Sequence, residues 1–192
     1  DSPDLTSEHI KSSQYPIDVL CIHRIGRQGL SSAVVEGILL ADTQYVAVMD
    51  ADGQHTPHDL MEMLKLAMAE GNQLVIGSRF KNQATVETHV GLRSLLSKVG
   101  NRLANHVLRR QLSDPLTGFF LIERSLFTEV SHQVRGSGFK ILVDVIYNLR
   151  DKDIKIAETQ IQFQQRLHGE SKLDSGVMIE FVDQMIGLFI GL

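Results

Sequence analysis

The amino-acid sequence predicts an α/β fold with a mostly parallel sheet flanked by helices. Short apolar runs rich in β-branched residues, typical of buried strands, alternate with longer segments of helical apolar spacing. The helix-start residues Thr56, Pro57 and Asp59 follow closely on one of these runs. Polar residues come directly after two of the runs, and the carboxyl ends of parallel strands are where such folds collect ligands.

The first half of the chain contains three predicted strands and two predicted helices. The second helix begins at Thr56 and ends at Gly71, because threonine is a good N-cap and glycine a good C-terminal stop. In chain order, the predicted elements are a strand over residues 17–22, a helix over 31–40, a strand over 45–49, a helix over 56–70 and a strand over 74–76.

The second half begins with a long amphipathic helix over residues 91–110. Its predicted core face consists of Leu92, Leu95, Leu96, Val99, Leu103 and Val107. The remaining predicted elements are a strand over 119–122, a short helix over 126–130, a helix over 140–150 and an extended segment over 154–163, followed by a polar loop over 166–174.

Composition excludes several classes of protein. The 192 residues suffice for one domain, with 43% hydrophobic and 22% charged residues. A formal net charge of -4 argues against a general nucleic-acid binder, which would carry a basic excess. The single cysteine, Cys21, excludes an internal disulfide and a cysteine-based zinc site.

The segment after the second strand holds the candidate metal ligands. Asp50 and Asp52 are two residues apart, and on extended backbone they would point to the same side, with Gln54 continuing the alternation. Such oxygen ligands suit Mg²⁺ or Mn²⁺, which in turn would hold a diphosphate. His55 and Met61 occupy the places where an EF-hand loop needs Gly and Glu, so that interpretation fails.

Three interpretations of this acidic segment stay open from the residues alone. It is typical of a glycosyltransferase metal site. It is also typical of a dehalogenase-type phosphatase, in which Asp50 would be the nucleophile, although Gln54 departs from that pattern. In the third interpretation both acids merely cap the turn before the next helix.

Five stretches, in order and spacing, resemble the dolichyl-phosphate mannose synthase family and its bacterial polyprenyl-phosphate relatives. Ser31 and Thr117 stand where the family has Gly and Ser. The stretches are Asp1-Ser2-Pro3-Asp4-Leu5-Thr6, Arg27-Gln28-Gly29-Leu30-Ser31-Ser32-Ala33, Asp50-Ala51-Asp52-Gly53-Gln54-His55-Thr56-Pro57, Ser113-Asp114-Pro115-Leu116-Thr117-Gly118-Phe119-Phe120 and Arg166-Leu167-His168-Gly169-Glu170-Ser171-Lys172-Leu173.

The resemblance implies an inverting, metal-dependent glycosyltransferase of GT-A fold, which is Rossmann-like. It would move a hexose from a nucleotide-sugar, with GDP-mannose the first choice and UDP-glucose the second, onto a polyprenyl phosphate. Residues 1–175 would form the catalytic domain, lacking the family's first strand and part of the base-binding pocket because the chain starts after them. A non-catalytic nucleotide- or lipid-binding module is a further alternative.

The resemblance also assigns site residues. No general base is among them, because the acceptor phosphate is already anionic and needs positioning instead. Arg93 and Ser97, four apart, would share a helix face. Asp114 would approach the sugar, and otherwise simply opens an Asp-Pro turn. The implied set is Asp50, Asp52 and Gln54 for the metal, Arg79, Arg93 and Ser97 for the acceptor phosphate, and Arg166 near the transferring phosphates. Lys172 would close over the site from its loop, and otherwise is simply solvated.

Residues 176–192 are predicted to form an amphipathic juxtamembrane helix, since apolar residues dominate this helix-like segment. A lipid acceptor would place the site at the cytoplasmic face of a membrane. Packing of this segment back on the domain, or half of an oligomer interface, are equal alternatives.

Overall fold

A computed structural model describes residues 5–27, 29–81, 92–135, 140–162 and 187–188, with the backbone alone for 92–98. These residues form six α-helices and four strands. In chain order the elements are α1 (Thr6–Ser12), α2 (Leu30–Leu40), β1 (Tyr45–Val48), α3 (Pro57–Glu70), β2 (Leu74–Ser78), α4 (Leu92–Leu108), β3 (Phe120–Glu123), α5 (Arg124–Val130), α6 (Ile141–Asn148) and β4 (Ile156–Gln160).

The described strands form one mixed sheet in the order β1-β3-β2-β4. Strands β2 and β4 pair in parallel, with Leu74 opposite Ile156. Strand β3 runs antiparallel to both of its neighbours, with Phe120 opposite Val48 on one side and Ile76 on the other. Three of the four strands therefore share a direction, and the predicted α/β fold is confirmed with one reversed strand inserted between β1 and β2.

Both faces of the sheet are covered by helices. Strand β2 is buried along its whole length, as expected for a strand with helices on both sides. Leu74 and Ile76 face a large core that includes residues of α4, α5 and α6. Val75 points to the opposite face, where it packs with Met63 and Ala67 of α3. This two-sided packing fixes the carboxyl end of β2.

The two predicted ends of α3 are confirmed. Thr56 is the N-cap, and its Oγ1 accepts a hydrogen bond of 3.1 Å from the backbone N–H of Asp59. Gly71 ends the helix in the left-handed conformation with φ 64°, which glycine adopts without a steric penalty. Helix α3 therefore begins a few residues after the acidic segment that follows β1.

The predicted strand over residues 17–22 is wrong. These residues belong to no strand or helix, and the side chains of Ile17 and Leu20 are 72% and 73% exposed. An apolar run is buried as a strand only when another strand pairs with it, and the described pairings join only β1, β3, β2 and β4. Helix α1 was not predicted from the sequence. It has no buried residue, and its sequence lacks the apolar periodicity that predicts a helix.

The predicted core face of α4 needs a correction at two positions. Val99 and Leu103 are exposed, whereas Ala104, Val107 and Leu108 are buried. The buried face is therefore rotated from the one that apolar spacing selected, because α4 packs against α6 on that side. Among the described residues, no helix has both the length and the apolarity needed to cross a bilayer.

Candidate active site

The acidic segment lies on a bend beyond the end of β1. The strand ends at Val48, and residues 51–53 form a bend in which Gly53 adopts φ 79°. Asp52 Oδ1 accepts a hydrogen bond of 3.1 Å from the backbone N–H of Gln54. The extended backbone assumed for Asp50, Asp52 and Gln54 is therefore wrong, and a turn sets their directions instead.

The ring of His55 lies among the charged groups of the site. It is 8% exposed and packs against Phe119 with ring centroids 4.5 Å apart. Its Nε2 lies 3.9 Å from Asp50 Oδ2. Burial lowers the pKa of His55, Asp50 and Asp52 oppose that shift, and Arg79 adds to it. All three charges therefore lie within electrostatic range of one imidazole.

Arg79 follows β2 and is held by Asp114. Its Nε donates to Asp114 Oδ2 at 2.7 Å, its Nη2 donates to Oδ1 at 3.0 Å, and its backbone N–H donates to Oδ2 at 3.2 Å. The Asp114 side chain is 0% exposed, whereas that of Arg79 is 32% exposed. This bidentate geometry fixes the guanidinium plane and leaves part of it facing solvent.

A partly buried polar network connects this pair to β4. Ser113 donates to Glu158 Oε1 through its backbone N–H at 2.8 Å and through its hydroxyl at 2.9 Å. Its hydroxyl also lies 2.6 Å from Ser78 Oγ, which accepts from the N–H of Phe80 at 3.0 Å. The residues on either side of Arg79 and Asp114 are therefore tied together. Sequence reasoning missed Glu158, because a lone acid in a strand carries no local signal.

The turn after Asp114 packs against Asp50. The backbone N–H of Thr117 donates to the Asp114 carbonyl at 3.3 Å, which closes the turn. A Cβ placed on Gly118 would lie 3.4 Å from Asp50 Oδ2, so the backbone approaches this carboxylate closely. The two halves of the site, one after β1 and one after β2, therefore meet at Gly118.

Lys140 is a second residue that sequence reasoning missed. Its Nζ donates to the carbonyl of Leu116 at 2.9 Å, within the same turn. Burial lowers the pKa of Lys140, the Arg79 charge acts in the same direction, and Asp114 and Asp50 oppose the shift. Lys140 thus adds a third cationic side chain to the described part of the site, together with Arg79 and the His55 ring when protonated.

A sequence model of the family described as glycosyl transferase family 2 matches residues 1–131, more than half of the chain. The chain belongs to glycosyl transferase family 2. Within this family-2 domain the match covers Asp50, Asp52, Arg79 and Asp114.

Curated relatives agree with this family. A dolichol-phosphate mannosyltransferase from Pyrococcus furiosus is 35% identical over 186 residues, covering 95% of this chain and 51% of the relative. Proteins of the same name are 33% identical in Mycosarcoma maydis, over 96% of this chain and 61% of the relative, and 29% identical in Saccharomyces cerevisiae, over 90% and 65%. The family-2 chain thus spans half to two thirds of these relatives' length.

Solved structures confirm the GT-A-like fold. Glucosyl-3-phosphoglycerate synthase from Mycobacterium tuberculosis, in complex with Mn²⁺, UDP and phosphoglyceric acid, matches with a TM-score of 0.60 at 19% identity, over 86% of this chain and 54% of that one. The same enzyme with Mn²⁺, UDP-glucose and phosphoglyceric acid matches with a TM-score of 0.59 at 18% identity, over 86% and 55%. At this identity the likeness establishes the fold of the family-2 domain.

Several predicted site residues of the family-2 chain lie beyond what the structure describes. Arg93 and Ser97 belong to the first turns of α4, whose backbone is described without side-chain positions. Arg166 and Lys172 fall outside the described residues, as do most of residues 176–192. The roles of these residues stay predictions, as do those of Asp50, Asp52, Arg79 and Asp114, which the structure places in one region.

The carboxylate oxygens at the bend suit a divalent cation whose remaining coordination positions are filled by a bound substrate. The side chain of Asp50 is 54% exposed. In the described part of the chain, no group of three or more His, Cys, Asp or Glu side chains forms a metal cage. Two carboxylates plus substrate phosphates is the arrangement that Mg²⁺ usually takes in nucleotide sites.

Proposed function

We propose that the intact protein is an inverting, metal-dependent hexosyltransferase that transfers a sugar from a nucleotide-sugar to a polyprenyl phosphate. The observation that carries the proposal is the meeting of the exposed Asp50 carboxylate and the Asp114-held Arg79 around one turn. The relatives named dolichol-phosphate mannosyltransferase favour mannose and dolichyl phosphate. The family resemblance of the sequence makes GDP-mannose the first candidate donor. UDP-glucose is the second candidate donor, since a structural neighbour was crystallised with it.

Asp50 and Asp52, with Gln54, would hold Mg²⁺ or Mn²⁺. Structural neighbours were crystallised with Mn²⁺, which supports a divalent ion without choosing between the two. When bound, the ion would neutralise the diphosphate of the donor. The carboxylates then serve to position the leaving group, and the half-exposed face of Asp50 is the side open to it.

Arg79 would orient the acceptor phosphate. Because that phosphate is already anionic, its oxygen attacks the sugar without a general base, and the diphosphate leaves from the opposite face. Asp114 holds two of the Arg79 nitrogens, and the Arg79 side chain is 32% exposed, so the acceptor phosphate would meet its exposed part. Asp114 would therefore act through Arg79, and its direct approach to the sugar stays a prediction.

The other predicted residues extend this arrangement. Arg93 and Ser97, at the start of α4, would add contacts to the acceptor phosphate. Arg166 would lie near the transferring phosphates, and Lys172 would close over the site. We further propose residues 1–175 as the catalytic domain and 176–192 as a helix that keeps the site at the cytoplasmic face of a membrane, where a lipid acceptor is found.

Calorimetric titration of the intact protein with GDP-mannose and UDP-glucose, with and without Mn²⁺, tests the proposal. We expect Mn²⁺-dependent binding of GDP-mannose that Asp52→Asn removes. Asp153→Asn is the matched control, because Asp153 is an exposed acid just before β4. If neither donor binds and Mn²⁺ changes nothing, the proposal is wrong.

A transfer assay with dolichyl phosphate separates the remaining alternatives. Formation of a glycosylated lipid phosphate is the expected result. Donor binding without any transfer would indicate a non-catalytic module. A covalent phosphoryl group on Asp50, lost in Asp50→Asn, would indicate a phosphatase of the dehalogenase type.

A further inference from the structure

A cavity lies at the opposite edge of the sheet from Arg79. Its volume is about 620 Å³, and its walls come from the C-terminal ends of α4 and α6. Arg110, which lines it, donates from Nη2 to the carbonyl of Lys152 at 3.1 Å. Lys152 precedes the amino end of β4, whereas Arg79 follows the carboxyl end of β2, and these two strands are parallel. The cavity is therefore distinct from the proposed active site.

The described lining of this cavity is basic. Arg109, Arg110 and Arg150 are among its lining residues, and none of the described lining residues is an Asp or Glu. The nearby acid Asp151 places its Oδ2 3.6 Å from Arg150 Nε. Arg150 also stacks over the ring of Tyr147, with its Cζ 3.8 Å from the centroid. A chain whose formal net charge is -4 thus gathers three arginines around one concavity of ligand size.

The backbone at Arg109 is strained. The N–H of Arg109 donates to the carbonyl of His106 at 3.4 Å, and the N–H of Arg110 donates to the carbonyl of Asn105 at 3.3 Å. These two bonds are the helix-ending pattern that usually places glycine in the left-handed conformation. Here Arg109 adopts that conformation with φ 52°, which is unfavourable for a residue with a Cβ. Strain of this kind commonly persists where the side chain has a use.

Arg110 is also incompletely paired within the described structure. Its Nε is buried and makes no hydrogen bond there. A buried donor without an acceptor is unfavourable, and an anion in the adjacent cavity would supply acceptor oxygens.

We infer that this cavity binds a phosphate-bearing anion through Arg109, Arg110 and Arg150. Arginine forks match phosphate oxygens in geometry and charge. The simpler explanation is that the arginines only offset the negative ends of two helices. That explanation gives no reason for an arginine at the position where glycine is preferred, so the two accounts differ in what Arg109 does.

Replacing Arg109 by glycine separates the two accounts, because stability and binding should change in opposite directions. We expect Arg109→Gly in the intact protein to raise the melting temperature by about 2–4 °C, since the backbone strain is relieved. We expect the same variant to bind pyrophosphate about tenfold more weakly in calorimetry with EDTA present. Arg102→Ala is the control, because Arg102 is exposed on α4, the helix that ends just before Arg109, and lies outside the cavity lining.

Two probes distinguish a soluble ligand from a lipid headgroup. Pyrophosphate reports on a soluble phosphate, and sedimentation with vesicles of phosphatidic acid, compared with phosphatidylcholine, reports on a headgroup. Weaker binding of Arg109→Gly to either probe, with Arg102→Ala unchanged, supports the inference and identifies the source. A more stable Arg109→Gly that binds both probes as the wild type does would overturn it. Should Arg109→Gly be less stable, Arg150→Gln provides the same binding comparison, and unchanged binding by that variant overturns the inference as well.

Discussion

Asp50 and Asp114 are both aspartates at the carboxyl edge of one sheet, yet their surroundings differ completely. The side chain of Asp50 is 54% exposed and lies 3.9 Å from His55 Nε2. The side chain of Asp114 is 0% exposed, and both of its oxygens accept hydrogen bonds from Arg79. One carboxylate is left open toward solvent, and the other is satisfied entirely within the protein.

This difference separates the site into a preorganised side, formed by Arg79 and Asp114, and an open side, formed by Asp50 and Asp52. A buried carboxylate must be paired with a charge and hydrogen-bonded, because an unpaired one is very unfavourable. The Arg79 side of the site is therefore already organised before any ligand binds. The Asp50 side is half-exposed, and under the proposed function it would be completed by a metal that arrives with a diphosphate.

The largest expected effect is on the open side. Asp52→Asn removes a proposed metal ligand, so we expect kcat/KM for sugar transfer to fall by about 10²–10³-fold. The melting temperature should change little, because Asp52 is partly exposed and the amide can still accept from Gln54. Steady-state kinetics and thermal unfolding measure the two effects. A large loss of stability with unchanged kinetics would show that Asp52 supports the fold and does not bind the metal.

The next effect is on the preorganised side. Arg79→Met leaves Asp114 buried without its cationic partner, so we expect the free energy of unfolding to fall by about 3 kcal/mol. Urea unfolding measures this loss. Arg102→Met is the control, because Arg102 is exposed on α4 and should cost little. Equal stability of the two variants would show that Arg79 is not part of the folded framework.

Two glycines give a matched comparison of the two sides. A Cβ on Gly77 would lie 2.8 Å from Phe119 Cδ1 and 3.2 Å from the Phe119 carbonyl oxygen, so Gly77→Ala should cost about 1–3 kcal/mol of stability. The three atoms nearest to a Cβ on Gly118 would all belong to the Asp50 carboxylate, the closest at 3.4 Å. Gly118→Ala should therefore leave stability nearly unchanged and weaken Mn²⁺ binding about tenfold. Unfolding and calorimetry of both variants check whether these two effects separate.

The smallest effect concerns the helix next to the open side. Thr56→Ala removes the cap of α3, so we expect a loss of about 1 kcal/mol and a fall of about 2–4 °C in melting temperature. Mn²⁺ affinity should stay the same, because the cap lies beyond the bend. A parallel loss of Mn²⁺ affinity would mean that the carboxylates depend on α3 for their placement.

Features with a local signal were predictable from the sequence. The start and stop of α3 depend on Thr56 and Gly71, which act on their own backbone neighbours. The positions of Asp50, Asp52 and Arg79 after strands were also predictable, because each lies within three residues of the end of an apolar run. These features need no information about distant parts of the chain.

Features that depend on long-range pairing were not predictable in the same way. Arg79 and Asp114 are 35 residues apart, and Ser113 and Glu158 are 45 apart, so no spacing rule announces either contact. The reversed direction of β3 follows from how the chain returns to the sheet, which apolar periodicity does not encode. Residues 17–22 failed as a strand for the same reason, because burial requires a partner that the run itself does not specify.

The most direct test of the central claim is a crystal structure of the intact protein with MnCl₂ and GDP, using anomalous scattering to locate manganese. We expect one manganese peak about 2.1 Å from carboxylate oxygens of Asp50 and Asp52, with the diphosphate bound to the same ion and Arg79 still paired with Asp114. A diphosphate bound elsewhere, or manganese away from both aspartates, would contradict the account.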